Sequence, residues 1–256
     1  GMKGSTSVGT GGLIGTLYDL KQTSGRQPTA MVDAKTGIPP YRAAVRDFLE
    51  AGWSPGKLSK FFKAPDTLIS GQLFITGRSA NDAPKAFEVE KLMKPSRWVV
   101  HYRCYVEVPS SLPFRFVGSG DDWMVVRFNG RVALDSGFQQ HVVGEGNIYR
   151  HFNGQKCGET HPSALGKPLR CGPWIEATAG QEVPLDIVLG ETPGGNFYAF
   201  LLIEPRGANG KGEGLKLLRF AEGALPPQIA NGHPRIPNVD MEAKGWVFKP
   251  IRPALR

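Results

Sequence analysis

The sequence predicts a mostly β protein with one small helical insertion, on three observations. Apolar and polar residues alternate over run after run, most strongly from Trp98 onward, as strands with one buried face require. The 33 glycines and 21 prolines among 256 residues suit short strands joined by turns. Helical spacing is confined to one stretch, near residues 40–64.

Taken in order, residues 1–11 ("GMKGSTSVGTG") read as a flexible Gly/Ser/Thr-rich leader. Gly1 before Met2 reads as an expression scar, and no apolar leader segment follows. Such a linker could tether the domain to an upstream anchor or fusion domain. "GGLIGTLYDLKQT" reads as the first strand. Tyr41, Ala44, Val45, Phe48 and Leu49 then fall at helical spacing, with Gly52 as the stop. Ser54-Pro55 reads as N-cap and first turn of a short second helix carrying Leu58, Phe61 and Phe62, ended by Pro65.

"DTLISGQLFITGR" returns to strand composition, and "NDAPKAFEVEKLMKPSR" is a connector of no clear period. Strands are expected over Trp98–Val108, Phe114–Gly118, Trp123–Phe128 and Arg131–Leu134. The last two meet through Asn129-Gly130, a strong two-residue hairpin signal. A Gly/His/Cys-punctuated loop spans residues 138–174. "GQEVPLDIVLG" alternates, with Pro184 suggesting an edge position or bulge, and "NFYAFLLIE" is apolar on both faces, as a central strand is. Residues 207–256 are Pro-rich and weakly periodic; they read as an extended segment wrapping the domain, anchored by Trp246 and Phe248.

The formal net charge of +8 invites a nucleic-acid reading, but lysines and arginines are scattered singly and no basic tract is interleaved with aromatics. The charge reads as a solvated surface, and nucleic acid is not an expected partner. No run of about 18 apolar residues exists, so no membrane-spanning helix is expected. Cys104 alternates in phase with Val100, Tyr102 and Val106 and reads as a buried small hydrophobe. Cys157 and Cys171 bracket a loop and could form a disulfide in an exported protein. A zinc site recruiting His151 or His161 lacks the paired Cys-x-x-Cys that would support it.

The chemistry centres on "GSGDDWMVV", where Asp121 and Asp122 stand side by side in what reads as an exposed turn. Glycosidase carboxylates flank a bond about 5 to 9.5 Å apart from different elements, which adjacent turn residues do not offer. There is no nucleophile elbow, H-E-x-x-H, phosphate-binding loop or dinucleotide fingerprint, and no catalytic residue is assigned. Two readings of the pair remain. It could close a turn through side-chain-to-backbone hydrogen bonds. Alternatively, the carboxylates could converge, through a cis peptide, on a hard cation that relieves their repulsion.

"FRFVGSGDDWMVVRFNGRVALDSG" resembles the signature hairpin of the protective-antigen-type (PA14) domain family, found in yeast flocculins and adhesins and in bacterial surface proteins. "GGLIGTLYDL" is similar to that family's opening segment, and "IEATAGQEVPLDIVLGETPGGNFYAFLLIEP" to its closing hairpin. The resemblance implies an antiparallel β-sandwich over residues 12–206, interrupted by the helical insertion and the 138–174 loop. It also implies a cis Asp121-Asp122 peptide holding calcium, with the second ligand loop at "GETPGGN" offering Glu191 and Asn196. Trp123 stands where the family commonly has glycine; it either stacks on a sugar ring or crowds the site shut. The implied function is a non-catalytic, lectin-like, calcium-dependent carbohydrate-binding module. Its partner would be a glycan or cell-wall polysaccharide, and its place extracellular, on the cell surface or in the periplasm. The other expectation is an architectural or protein-interaction module with structural aspartates.

Overall fold

The computed structural model describes residues 2–3, 12–136, 155–157, 169–192 and 194–251. Its strands and helices run, in chain order, β1 (Met2–Lys3), β2 (Leu13–Thr23), α1 (Ile38–Glu50), β3 (Phe61–Lys63), β4 (Leu68–Ser70), β5 (Phe74–Ser79) and α2 (Asp82–Ala86). The central strands are β6 (Trp98–Glu107), β7 (Phe114–Asp121), β8 (Trp123–Phe128) and β9 (Arg131–Asp135). Then come β10 (Gln155–Lys156), β11 (Arg170–Cys171), β12 (Glu182–Glu191), β13 (Asn196–Pro205), β14 (Leu215–Leu217), β15 (Val239–Asp240) and β16 (Lys249–Ile251). Among the described residues no helix is long and apolar enough to cross a membrane.

The strands build two sheets, mostly antiparallel, in a sandwich. The first has the order β1-β4-β2-β6-β12-β8-β9, with β3 on β2 and β16 on β6; the second runs β10-β11-β7-β13-β14-β15, with β5 on β13. Alternation sets the layers. On β8, Met124 and Val126 enter the core between the sheets, while Trp123 and Val125 face the other way. On β13, Phe197, Ala199, Leu201 and Ile203 face the inter-sheet core, and Tyr198, Phe200 and Leu202 face outward under a further cover. This is why that strand is apolar on both faces.

Each outer face carries a lid. The first sheet is covered by α1, whose Tyr41, Val45 and Phe48 pack with Trp53 on Val99, Trp123, Val125 and Val188. Pro39 and Pro40 occupy the first turn of α1, where a missing backbone N–H costs no helical bond. The second sheet is covered by Leu225, Ile229, Ile236 and Met241 from the C-terminal segment and by the Cys157–Cys171 disulfide. Trp246 and Phe248 reach the inter-sheet core, where Phe248 meets Phe114 at 5.5 Å between ring centroids.

Several expectations change. The second helix is only a 3-10 turn over Pro55–Lys57, and Ser54 makes no side-chain cap. Phe61 and Phe62 lie on β3, and Phe61 joins the cluster under α1 while Phe62 packs on the inter-sheet core. Opposite faces, rather than one helical side, accommodate two consecutive aromatics. Pro184 is on a central strand, one residue past the last β8 partner, Leu185↔Phe128. Met2–Lys3 of the expected leader pairs with β4. The expected 138–174 loop lies largely outside the described residues, as do His151 and His161. The Asn129-Gly130 hairpin is present, both residues having positive φ, 51° and 79°.

Candidate cation-binding site

Two crossings between the sheets meet at one end of the sandwich. β7 lies in the second sheet and β8 in the first, so Asp121-Asp122 is an inter-sheet corner instead of a hairpin turn. β12 and β13 are likewise in different sheets, so the chain returns between them. The ladders register these corners against each other: Trp123 pairs with Gly190 in one sheet, and Asp121 with Tyr198 in the other. Asp122 N–H donates to the Gly190 carbonyl at 3.1 Å.

The Asp121–Asp122 peptide is cis. One carboxylate oxygen from each of Asp121, Asp122 and Glu191 lies within 4.8 Å of the others. Asp121 is half-buried, whereas Asp122 is 1 % and Glu191 0 % exposed. The Oδ2 of Asp122 accepts from the Thr192 backbone N–H at 2.6 Å and from its hydroxyl at 2.8 Å. Among the described residues neither oxygen of Glu191 receives a hydrogen bond from an N–H or a hydroxyl group; its neighbour is the Asp122 carboxyl, and the two acids meet favourably only by sharing a proton or a cation. A buried carboxylate so placed is costly unless it is protonated or meets a cation.

Burial, followed by the negative charges of Asp122 and Asp121, pushes the Glu191 carboxyl up to about 10. Burial, then its hydrogen bond with Asp121, pushes Asp122 up to about 7, against the lowering effect of the Thr192 donors. All three groups offer oxygen, the donor type that suits a hard cation such as calcium over zinc. The orphaned Glu191 carboxylate is what such an ion would satisfy.

Trp123 does not present a face to a ligand. It is fully buried, and its indole N–H donates to the Tyr41 hydroxyl at 3.0 Å, which in turn donates to the Trp98 carbonyl at 2.8 Å. Helix α1 fills the space that sugar stacking would need. Gly190 makes this possible, since a Cβ there would lie 2.6 Å from the Trp123 Nε1. Asn196 is exposed at the start of β13, paired with Ser79, and lines a concavity that Tyr198 also borders. Thr192 was not visible as a site residue, because its partner is 70 positions away and an Asp–Thr hydrogen bond has no sequence spacing.

Solved PA14 domains align with most of the chain. The PA14 domain of the MpAFP antifreeze protein matches at a TM-score of 0.44 and 11% identity, covering 82% of this chain and 90% of that one. The PA14 sugar-binding domain from an RTX adhesin matches at 0.40 and 17%, covering 79% and 93%. The A domain of epithelial adhesin 6 from Candida glabrata, solved in complex with Galb1-3GlcNAc, matches at 0.42 and 10%, covering 79% and 83%. No family model matches the sequence, and no curated protein matches it.

Proposed function

We propose that the chain is a non-catalytic carbohydrate-binding module that works through calcium, on an exported or cell-surface protein. The observation that carries this reading is the buried Glu191 carboxylate, which among the described residues receives no N–H or hydroxyl hydrogen bond and faces the carboxylates of Asp121 and Asp122. Asp121, Asp122 and Glu191 would hold the ion, which supplies a positive centre for sugar hydroxyls. Asp121 keeps the site in touch with solvent, and Thr192 orients Asp122. The PA14-type motif supports the sugar part of the reading, and the Cys157–Cys171 disulfide supports export. Asn196 would contribute its amide to the neighbouring concavity.

The test is titration calorimetry of calcium into chelator-treated protein, followed by glycan binding with and without calcium. Saturable calcium binding at one site, and glycan capture that chelator abolishes, is the expected outcome. The burial of Asp122 and Glu191 favours a second reading, an architectural module whose carboxylates share protons at a closed corner. That reading expects no calcium heat and no glycan capture.

A further inference from the structure

Beside the carboxylate trio lies a concavity of about 470 Å³ lined by Arg78, Ser79, Asp82, Asn196, Tyr198 and Arg235. It is built from four separate parts: the end of β5, the first residue of α2, the start of β13 and the C-terminal segment that covers the second sheet. Arg78 and Arg235 are exposed, and no ion pair engages either guanidinium among the described residues. Asp82 lines the same space; its carboxylate accepts from the Ser79 backbone N–H at 3.1 Å. Tyr198 is buried, and its hydroxyl lies next to the Ser119 hydroxyl; among the described residues neither has any other side-chain or backbone partner. Tyr198 stands directly across the ladder from Asp121, which joins the concavity to the trio.

We infer that this concavity binds the anionic group of an acidic saccharide, a uronate carboxylate or a sulfate, through Arg78 and Arg235. The inference rests on the carbohydrate-binding reading and names its substrate class. Among the lining residues two guanidinium groups face one carboxylate, and a cation held by the trio would offset the neighbouring Asp121, leaving the pocket net positive; guanidinium is the side chain suited to bidentate oxyanion recognition. Asp82, Asn196 and the Tyr198 hydroxyl add groups that pair with sugar hydroxyls, which a bare phosphate does not have. The overall charge of +8 draws an acidic polymer toward this surface. Because Arg235 comes from the C-terminal segment, that segment takes part in recognition as well as in covering the sheet.

The experiment titrates three disaccharides into the whole chain in calcium: a uronate, a sulfated sugar and their neutral counterpart. It is repeated for Arg78→Gln and Arg235→Gln, with the calcium-dependent melting shift recorded on the same samples. The expected result is at least about tenfold tighter binding of one acidic disaccharide, with the preference lost in either variant. The uronate and sulfate arms identify which oxyanion is read. Equal binding of the neutral sugar, binding unchanged in both variants, or no binding at millimolar concentration would overturn the inference. A calcium shift without acidic preference defeats this inference and leaves the cation reading standing; an arginine-dependent preference without the shift does the reverse.

Discussion

Glu191 sits at 0 % exposure, and among the described residues no N–H or hydroxyl donates to either oxygen, so the carboxyl is either protonated or matched by an ion. The sign of its pH effect follows. Its carboxyl is raised to about 10 in the folded chain, so its stability contribution is full below about pH 4.3, the ordinary glutamate value, and is lost as pH rises through 10. Asp122, raised to about 7, acts in the same direction from the ordinary aspartate value upward. In chelator, the parent should melt lower as pH rises from 5 to about 9, while Glu191→Gln flattens much of that slope; equal slopes in thermal melts would contradict it. With calcium at about a hundredfold excess over Kd the parent should gain about 2.7 kcal/mol, and Glu191→Gln should lose most of that gain. Asp122 is a poorer test position than an exposed turn residue would be. Its truncation to Ala strands two Thr192 donors and should cost about 1–3 kcal/mol by chemical denaturation, even without metal. The aspartate pair was legible because it is local, and the PA14-type motif pointed to Glu191. Thr192, Tyr41 and the burial of Trp123 were not, since each depends on contacts made by distant strands.

At the scale of elements, α1 is held to the outer face of the first sheet by aromatic packing and a charged network beneath it. His101 Nε2 lies 2.8 Å from Asp186 Oδ1, Arg127 donates to Asp186 and to the Gly52 carbonyl, and Trp53 packs against both His101 and Arg127. Truncating Trp53 to Ala should cost about 3–5 kcal/mol in denaturant melts, because both packing and the seat of Arg127 are lost. Burial holds His101 below its ordinary value despite Asp186, so its stability contribution is full above about pH 6.5 and is lost as pH falls below it. Helix α1 and the Asn129-Gly130 hairpin were readable from local period and turn chemistry. The sheet membership of β7, β8, β12 and β13 was not, because a strand pattern tells which residues face inward but not which neighbour the strand chooses. Phe61-Phe62 shows the limit: a short apolar run fits helix or strand until its partner is known.

For the whole molecule, the covers make two sheets into four layers, and the C-terminal segment is part of the core. Phe248→Ala, at a contact with Phe114, should cost about 3–5 kcal/mol by denaturant melts, more than a peripheral strap would. The Cys157–Cys171 bond leaves Cys104 as the free cysteine, so thiol counting under denaturing, non-reducing conditions should find one thiol per chain. The pairing of β2 and β16 with β6 has a mechanical consequence. Ile14 pairs with Arg103 and Ile251 with Tyr105, two residues along the same strand, which places the two points about 7 Å apart. A pull applied between them is taken up by the short ladder on β6 and bypasses the corner that carries Asp121, Asp122 and Glu191.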